Sequence, residues 1–201
     1  MAQEREATGE PAYLATLEVR WMVAGQRPPE MLGWFARFPS VTERRVDRYL
    51  LHGQLAAGSA LKIRDPGASL LEVKLQRDDE RVLEVPGLAA AGVKRCEKWS
   101  FPLADAAGGA AVVSSWKQVH KTRWLSRPGG ERAPCAAELT DIQVDGVESW
   151  TIGLEAPGSD ERAWDALQAV AAALFAEPLP AAPAAGAVAA MPYSEWLGSL
   201  G

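Results

Sequence analysis

The side chains in this sequence best able to do chemistry are Lys, Arg and Glu at alternate positions of short apolar segments. Glu18 and Arg20 alternate with Leu17, Val19, Trp21 and Val23. Lys62 and Arg64 alternate with Leu61 and Ile63, and Glu72 and Lys74 with Leu71, Val73 and Leu75. Lys117, Lys121 and Arg123 share one parity of a longer run, and Glu155 shares its parity with Thr151 and Gly153, opposite Trp150, Ile152 and Leu154. A strand turns successive side chains to opposite faces, so each segment has one apolar and one charged face. If the charged faces converge, rows of Lys and Arg suit a polyanion such as a chain of phosphates. Carboxylates among them suit Mg²⁺ or Mn²⁺, which take oxygen ligands and bridge to phosphate oxygens. The same alternation also describes antiparallel strands with one solvated face, and periodicity leaves both readings open. Glu138 and Asp141, near a strand able to bear metal ligands, are additional candidates, although surface or turn roles suit them better.

Other chemistries lack a local motif, although a dispersed Ser/His/Asp arrangement stays open. The two histidines, His52 and His120, lie far apart, and no Cys/His cluster has zinc spacing. There is no Walker A loop, no G-x-G-x-x-G after a strand and no G-x-S-x-G elbow. Cys96 and Cys135 read as buried reduced thiols rather than a disulfide framework. His120 shares its parity with Trp116 and Trp124, which predicts a packed ring.

The elements that position these residues are mostly strands. Alternation predicts strands over 14–23, 43–52, 60–64, 70–77, 93–101, 111–126, 136–144 and 149–156. Asp65-Pro66-Gly67 and Asp145-Gly146 are turn signals that make two hairpins. A short helix opens at Pro28-Pro29 and buries Met31, Trp34, Phe35 and Phe38; 87–92 is a short helix or a loop. Ser159-Asp160-Glu161 caps a second helix running to Phe175. Residues 177–190, rich in Ala and Pro, read as a linker, and 191–201 as a closing segment. Tyr193 and Trp196 in that segment fit either a plug in a barrel mouth or an ordinary docked helix face. Trp21, Trp34, Trp99, Trp124, Trp150 and Trp164 read as core between sheet and helices.

With 201 residues, of which 48% are hydrophobic and 23% charged, one sizeable core is expected rather than two small domains. The fold class is α+β, mainly antiparallel β, and such a sheet removes its edges by closing. The net charge of −5 speaks against a partner as large and anionic as a long nucleic acid. No apolar run is long enough to span a bilayer. Residues 1–11 are acidic, polar and read as flexible, without the layout of a secretory signal, so a cytoplasmic location is expected.

The order of these segments resembles the CYTH superfamily, the triphosphate tunnel metalloenzymes. Thr16-Leu17-Glu18-Val19-Arg20 resembles the family's opening Glu-x-Glu-x-Lys, and Asp47-Arg48-Tyr49 its Asp-x-Tyr element. Leu61 to Arg64 resembles Leu-Arg-x-Arg, Glu72-Val73-Lys74 the following Lys strand, and Lys121-Thr122-Arg123 the later Lys-x-Arg. Trp150 to Glu155 resembles the final Glu-bearing strand, and Tyr193 to Leu197 the closing Tyr-Ser-x-x-Leu.

The resemblance implies one CYTH-like domain over 1–201, an eight-stranded closed β-tunnel with covering helices. It implies Glu18 and Glu155 as metal ligands for Mg²⁺ or Mn²⁺. Arg20, Lys62, Arg64, Lys74, Lys121 and Arg123 become phosphate contacts, with Glu72, Glu138 and Asp141 as additional candidates. The expected partner is a small triphosphate or polyphosphate, with no long nucleic acid and no membrane; a homodimer is compatible with the fold. Thr16 stands where the family has its first Glu, Arg20 replaces the Lys, and the last strand offers only Glu155. Two readings follow: binding with hydrolysis, and binding without it. A third, from another class, is a β-barrel carrier whose apolar faces point inward.

Overall fold

The computed structural model of the protein describes residues 11–50, 58–65, 70–102, 116–128, 130, 134–181 and 188–200. The expected flexible residues 1–10, His52, the Pro66-Gly67 turn, residues 111–115 of the expected sixth strand and 182–187 of the expected linker lie outside them. In chain order the elements are β1 (Ala12–Ala24), α1 (Pro29–Phe35), β2 (Ser40–Leu50), β3 (Ser59–Asp65), β4 (Leu70–Leu83) and β5 (Ala91–Pro102). Then come β6 (Trp116–Ser126), β7 (Ala136–Val144), β8 (Val147–Pro157), α2 (Glu161–Leu174), β9 (Val188–Ala190) and α3 (Tyr193–Ser199).

Strands β1 to β8 form one closed antiparallel barrel in the order β5-β4-β3-β2-β6-β7-β8-β1, and β1 returns to β5 to seal it. β5 pairs with β1 only from Ala12 to Glu18; β9 takes the same edge further along, at Trp21 to Val23. The segment read as a linker therefore ends in a strand. Its small residues give no alternation to detect, and its backbone donors and acceptors are drawn onto the open edge of β1. The β7–β8 hairpin turns at Asp145 (φ 50°) and Gly146 (φ 81°). Two left-handed residues make the tight turn whose twist matches the strands, which explains Asp-Gly there. β4 runs six residues past its expected end, with a register shift against β5 between Asp78 and Val82. That irregularity breaks the period-two signal.

The outer faces of β1, β7 and β8 carry the main core. Leu17, Val19, Trp21, Ala137, Leu139, Trp150, Ile152 and Leu154 pack there against Met31, Trp34 and Phe35 of α1 and Leu167, Val170 and Leu174 of α2. Asp160 caps α2 by accepting from the Ala163 N–H at 3.1 Å. Arg37 donates to the carbonyls of Trp34 and Leu174, both at 2.7 Å, tying the ends of the two helices together. Burying these apolar faces outside the barrel leaves the opposite faces to line its interior. An inward-facing apolar wall, as an apolar-ligand carrier requires, is thereby excluded for β1 and β8. No helix among the described residues is long and apolar enough to cross a membrane.

Candidate functional site

The barrel interior holds a cavity of about 310 Å³ lined by nine Lys and Arg side chains and four glutamates. Three groups of ion pairs organise it.

The first joins β1, β4 and β8. Glu18 and Glu155 are direct cross-strand partners. Lys74 Nζ donates to Glu18 Oε2 at 2.6 Å and Thr16 Oγ1 donates to Oε1 at 2.9 Å. Burial pushes the Glu18 carboxyl up, but Lys74 and then Arg20 outweigh it and hold the pKa at about 2. Burial and the Glu18 charge push Glu155 up. Two carboxyl groups thus face one another, the first ionised and the second resisting ionisation because of it.

The second group centres on Asp47 of β2, which is fully buried. Lys121 Nζ lies 2.8 Å from its Oδ2, Lys62 Nζ 3.6 Å from the same oxygen, and Arg45 Nε 3.3 Å from Oδ1. Burial opposes its ionisation, yet these cations keep it well below the usual carboxylate range. Asp47 is shared by three cations, of which Lys62 also reaches Glu72 and Arg45 also reaches Glu43. Burial, together with the neighbouring charges of Arg64 and Arg45, brings Lys62 down to about 8, and Lys121 shifts in the same direction. Glu72, 2% exposed, receives Lys62 at 2.7 Å and Arg64 at 3.1 Å, which hold it at about 2 against the cost of burial.

The third group spans β1, β7 and β6. Glu138 accepts from Arg20 Nη1 at 2.9 Å, Thr140 Oγ1 at 2.7 Å and two nitrogens of Arg123, whose Nη1 also reaches Glu43 at 2.7 Å. Arg20 lies directly over its cross-strand partner Gly153; a Cβ there would sit 3.0 Å from the guanidinium carbon. Glycine at this position makes room for the flat cation.

Two guanidinium nitrogens, Arg45 Nε and Arg64 Nε, are buried beside Asp47 with no hydrogen bond of ordinary geometry among the described residues. One end of the barrel is closed. Inward-facing Met22, Tyr49, Val119, Ile142 and Val144 pack there against Trp196 and Leu197 of α3. The C-terminal segment is therefore the plug, and both alternatives raised for Tyr193 and Trp196 describe the same contact.

Arg20, Lys62, Arg64, Lys74, Lys121 and Arg123 all reach the inner wall, as do Glu18, Glu155, Glu72 and Glu138. Asp141 does not. It stands at odd parity to Glu138, on the outer face of β7, and pairs with Arg27 at 2.7 Å and 3.1 Å. It lines an outer groove of about 640 Å³ with Arg44 and His120. His120 is exposed rather than packed, since no helix among the described residues covers that stretch of β6. Absent from the expected site are Glu43, Arg45 and Lys98, which line the cavity, and Asp47, which anchors its cations. In β2 both faces carry charge, Glu43, Arg45 and Asp47 inward and Arg44 and Arg48 outward, so the direction of the charged face is not marked by an apolar partner face. The Asp-x-Tyr element was the one usable signal for Asp47.

No protein-family model and no curated protein matches the sequence. Solved structures do. The PH1819 protein of Pyrococcus horikoshii superposes with a TM-score of 0.53 at 16% identity, covering 92% of this chain and 99% of the other. A conserved hypothetical protein of Pyrococcus furiosus gives 0.48 at 18% identity, covering 89% and 98%. A Hippeastrum protein described as a putative adenylyl cyclase with dominant triphosphatase activity gives 0.46 at 16% identity, covering 77% and 85%. The strand order, the sealing β1–β5 pair and the charged inner wall together give this chain a CYTH-like fold.

Proposed function

We propose that the barrel binds a small linear triphosphate or polyphosphate, with a divalent cation at the Glu18–Glu155 pair, and hydrolyses it. The observation that carries this reading is the excess of cations in the cavity: nine Lys and Arg line it against four glutamates, and counting Asp47 and Glu72, which pair with the same cations, still leaves the positive charges in the majority. Mutually repelling cations held out of water are destabilising unless an anion compensates them. The cavity volume lies in the range of small-molecule sites, roughly 300–1,000 Å³. Arg45 and Arg64 share the Asp47 carboxylate through Nε contacts of 3.3 Å and 3.9 Å that fall short of ordinary hydrogen-bond geometry, which leaves donor capacity for an added anion.

Among the described residues no group of three or more His, Cys, Asp or Glu gathers to form a cage for a metal ion. The donor set still fits Mg²⁺ or Mn²⁺, since Mg²⁺ is commonly held by one or two carboxylates together with substrate phosphates and water. The facing Glu18 and Glu155, one raising the pKa of the other, are such a pair. A divalent cation there would neutralise phosphate oxygens and polarise the scissile phosphorus. The protein's own part is positional. Lys62, Arg64, Lys121 and Arg123 neutralise non-bridging oxygens, and fixed ion pairs keep them in place before the ligand arrives. A water attacking the phosphorus would displace a phosphate leaving group by breaking one P–O–P bond.

A second reading, binding without turnover, is favoured by one observation: Thr16 presents a neutral hydroxyl where the resemblance expects a carboxylate, and that hydroxyl is spent on Glu18. Phosphate release from tripolyphosphate, thiamine triphosphate and ATP with each metal separates the two. Release supports hydrolysis. A metal-dependent rise in melting temperature with tripolyphosphate but no release supports binding alone. Neither effect with any of the three would overturn both readings.

A further inference from the structure

Tyr193 opens α3 at the closed end of the barrel, and its ring lies inside the ring of cations. Lys121 Nζ is 3.9 Å and the Arg20 guanidinium carbon 4.6 Å from the ring centroid. Tyr49 stacks on it at 6.2 Å between centroids. Gly153 backs Arg20 on the barrel wall and leaves the space in which its guanidinium lies. The Tyr193 hydroxyl faces Arg20, Arg123, Glu138 and Thr151. Glu138 is saturated by Arg20, Arg123 and Thr140, and arginine accepts nothing; Thr151 Oγ1, which already accepts from Arg20 at 2.9 Å, is the one neighbour able to interact with the phenol, and its approach falls short of ordinary hydrogen-bond geometry. The hydroxyl oxygen is buried and makes no hydrogen bond of ordinary geometry among the described residues. Burial raises its pKa, so at neutral pH it is a phenol with a proton to give. An unsatisfied buried hydroxyl destabilises a protein, and its persistence calls for a partner.

We infer that Tyr193 is a ligand-contacting residue, its hydroxyl donating a hydrogen bond to an oxygen of the anion's end group where α3 closes the tunnel. This inference rests on the tunnel binding a phosphate chain. It gives the C-terminal segment a role in recognition, because the segment both blocks the tunnel and supplies a donor to whatever reaches the block. The preferred ligand then has a free terminal phosphate that can be inserted as far as Tyr193, as inorganic tripolyphosphate has.

The test is Tyr193→Phe in the full chain, with inorganic tripolyphosphate as the probe in calorimetry and melting of the ligand-free protein as control. Loss of a hydrogen bond to a charged oxygen should weaken binding about ten- to hundredfold. The ligand-free melting temperature should stay the same or rise, since the variant removes an unsatisfied polar group. Equal affinity for wild type and variant would overturn the inference and leave the tunnel reading standing. A lower melting temperature with proportionately weaker binding would make Tyr193 merely structural and would also overturn it. Failure of the wild type to bind tripolyphosphate would remove the tunnel reading and this inference together.

Discussion

The two walls of the barrel are built from the same period-two strands but are finished differently. On the β1–β7–β8 side, α1 and α2 cover the outer face, and Leu17, Val19, Trp21, Trp150, Ile152 and Leu154 are all at most 2% exposed. On the β2–β6 side no helix of the described residues covers the strands, and Thr42, Arg44, Gln118 and His120 are exposed. The inner faces of both walls carry charge. On the covered wall, therefore, a charged residue's direction follows from its apolar neighbours, because they must be buried under a helix. On the bare wall the outer face is polar too, and the chemistry of a residue no longer indicates its side. The covered wall supplies the stability that lets the interior hold repelling cations. The bare wall supplies Asp47, Lys121, Arg123 and Arg45, the densest part of the charge.

The comparison can be broken by substitutions matched across the walls. The largest effect is expected at the core of the covered wall. Trp21→Ala removes a fully buried ring whose Nε1 donates to the Ala89 carbonyl at 2.8 Å. It should cost about 3–5 kcal/mol in chemical denaturation. On the bare wall, Asp47→Asn leaves Arg45, Lys62 and Lys121 without their shared carboxylate. A loss of about 3–5 kcal/mol is expected, as for breaking a buried pair. Unlike the loss in Trp21→Ala, it should be largely recovered by added tripolyphosphate. Recovery of both variants alike would erase the distinction between the walls.

Acidity probes the inner face as a whole. Glu18 and Glu72 are held at about 2, below the ~4.3 of an unfolded glutamate. A lowered folded-state pKa contributes stability that is complete above the unfolded value and lost as pH falls through the folded one. Melting temperature should therefore drop between about pH 4.5 and pH 2. At the basic end, Lys62 titrates at about 8 in the folded chain against ~10.4 unfolded. Between those values the unfolded state binds the extra proton, so Lys62 adds stability as pH rises. Tripolyphosphate affinity should fall over the same range as that charge disappears. Parallel pH profiles of melting and binding above pH 8 would show that Lys62 does not serve the ligand.

Smaller effects separate inner from outer charges. Arg64→Ala should weaken tripolyphosphate binding about tenfold or more. The fold should stay intact, because Glu72 keeps Lys62 at 2.7 Å. Asp141→Asn, on the outer face of β7, is expected to leave tripolyphosphate affinity unchanged in the same titration. Its stability cost should be about 1 kcal/mol, at the upper end for a surface ion pair because Arg27 is mostly buried. An affinity loss with Asp141→Asn matching that of Arg64→Ala would place the anion outside the barrel.

The strands and helices were largely legible, and their misreadings have local causes. The β4 extension hides behind a register shift, and β9 lacks any apolar period. The lining of the cavity was legible where an apolar partner face accompanied the charges, at Glu18, Arg20 and Glu155. Glu43 and Arg45 were missed, and Asp47 surfaced only through a motif, because β2 is charged on both faces. Glu138 and Asp141 are three residues apart with similar chemistry, and only the register of β7 sends one inward and the other out to Arg27.

By itself, the sequence determined which residues alternate, where the Asp145-Gly146 turn falls and that an apolar face had to be buried. These depend on neighbours within a few residues, through pleat, turn geometry and hydrophobic burial. Tertiary structure alone decided that the barrel closes, that Glu18 faces Glu155, and that Tyr193 returns from the far end of the chain to lie over Arg20 and Lys121. Those contacts join positions remote in sequence, and their energies arise only when packing excludes water and brings charge to charge.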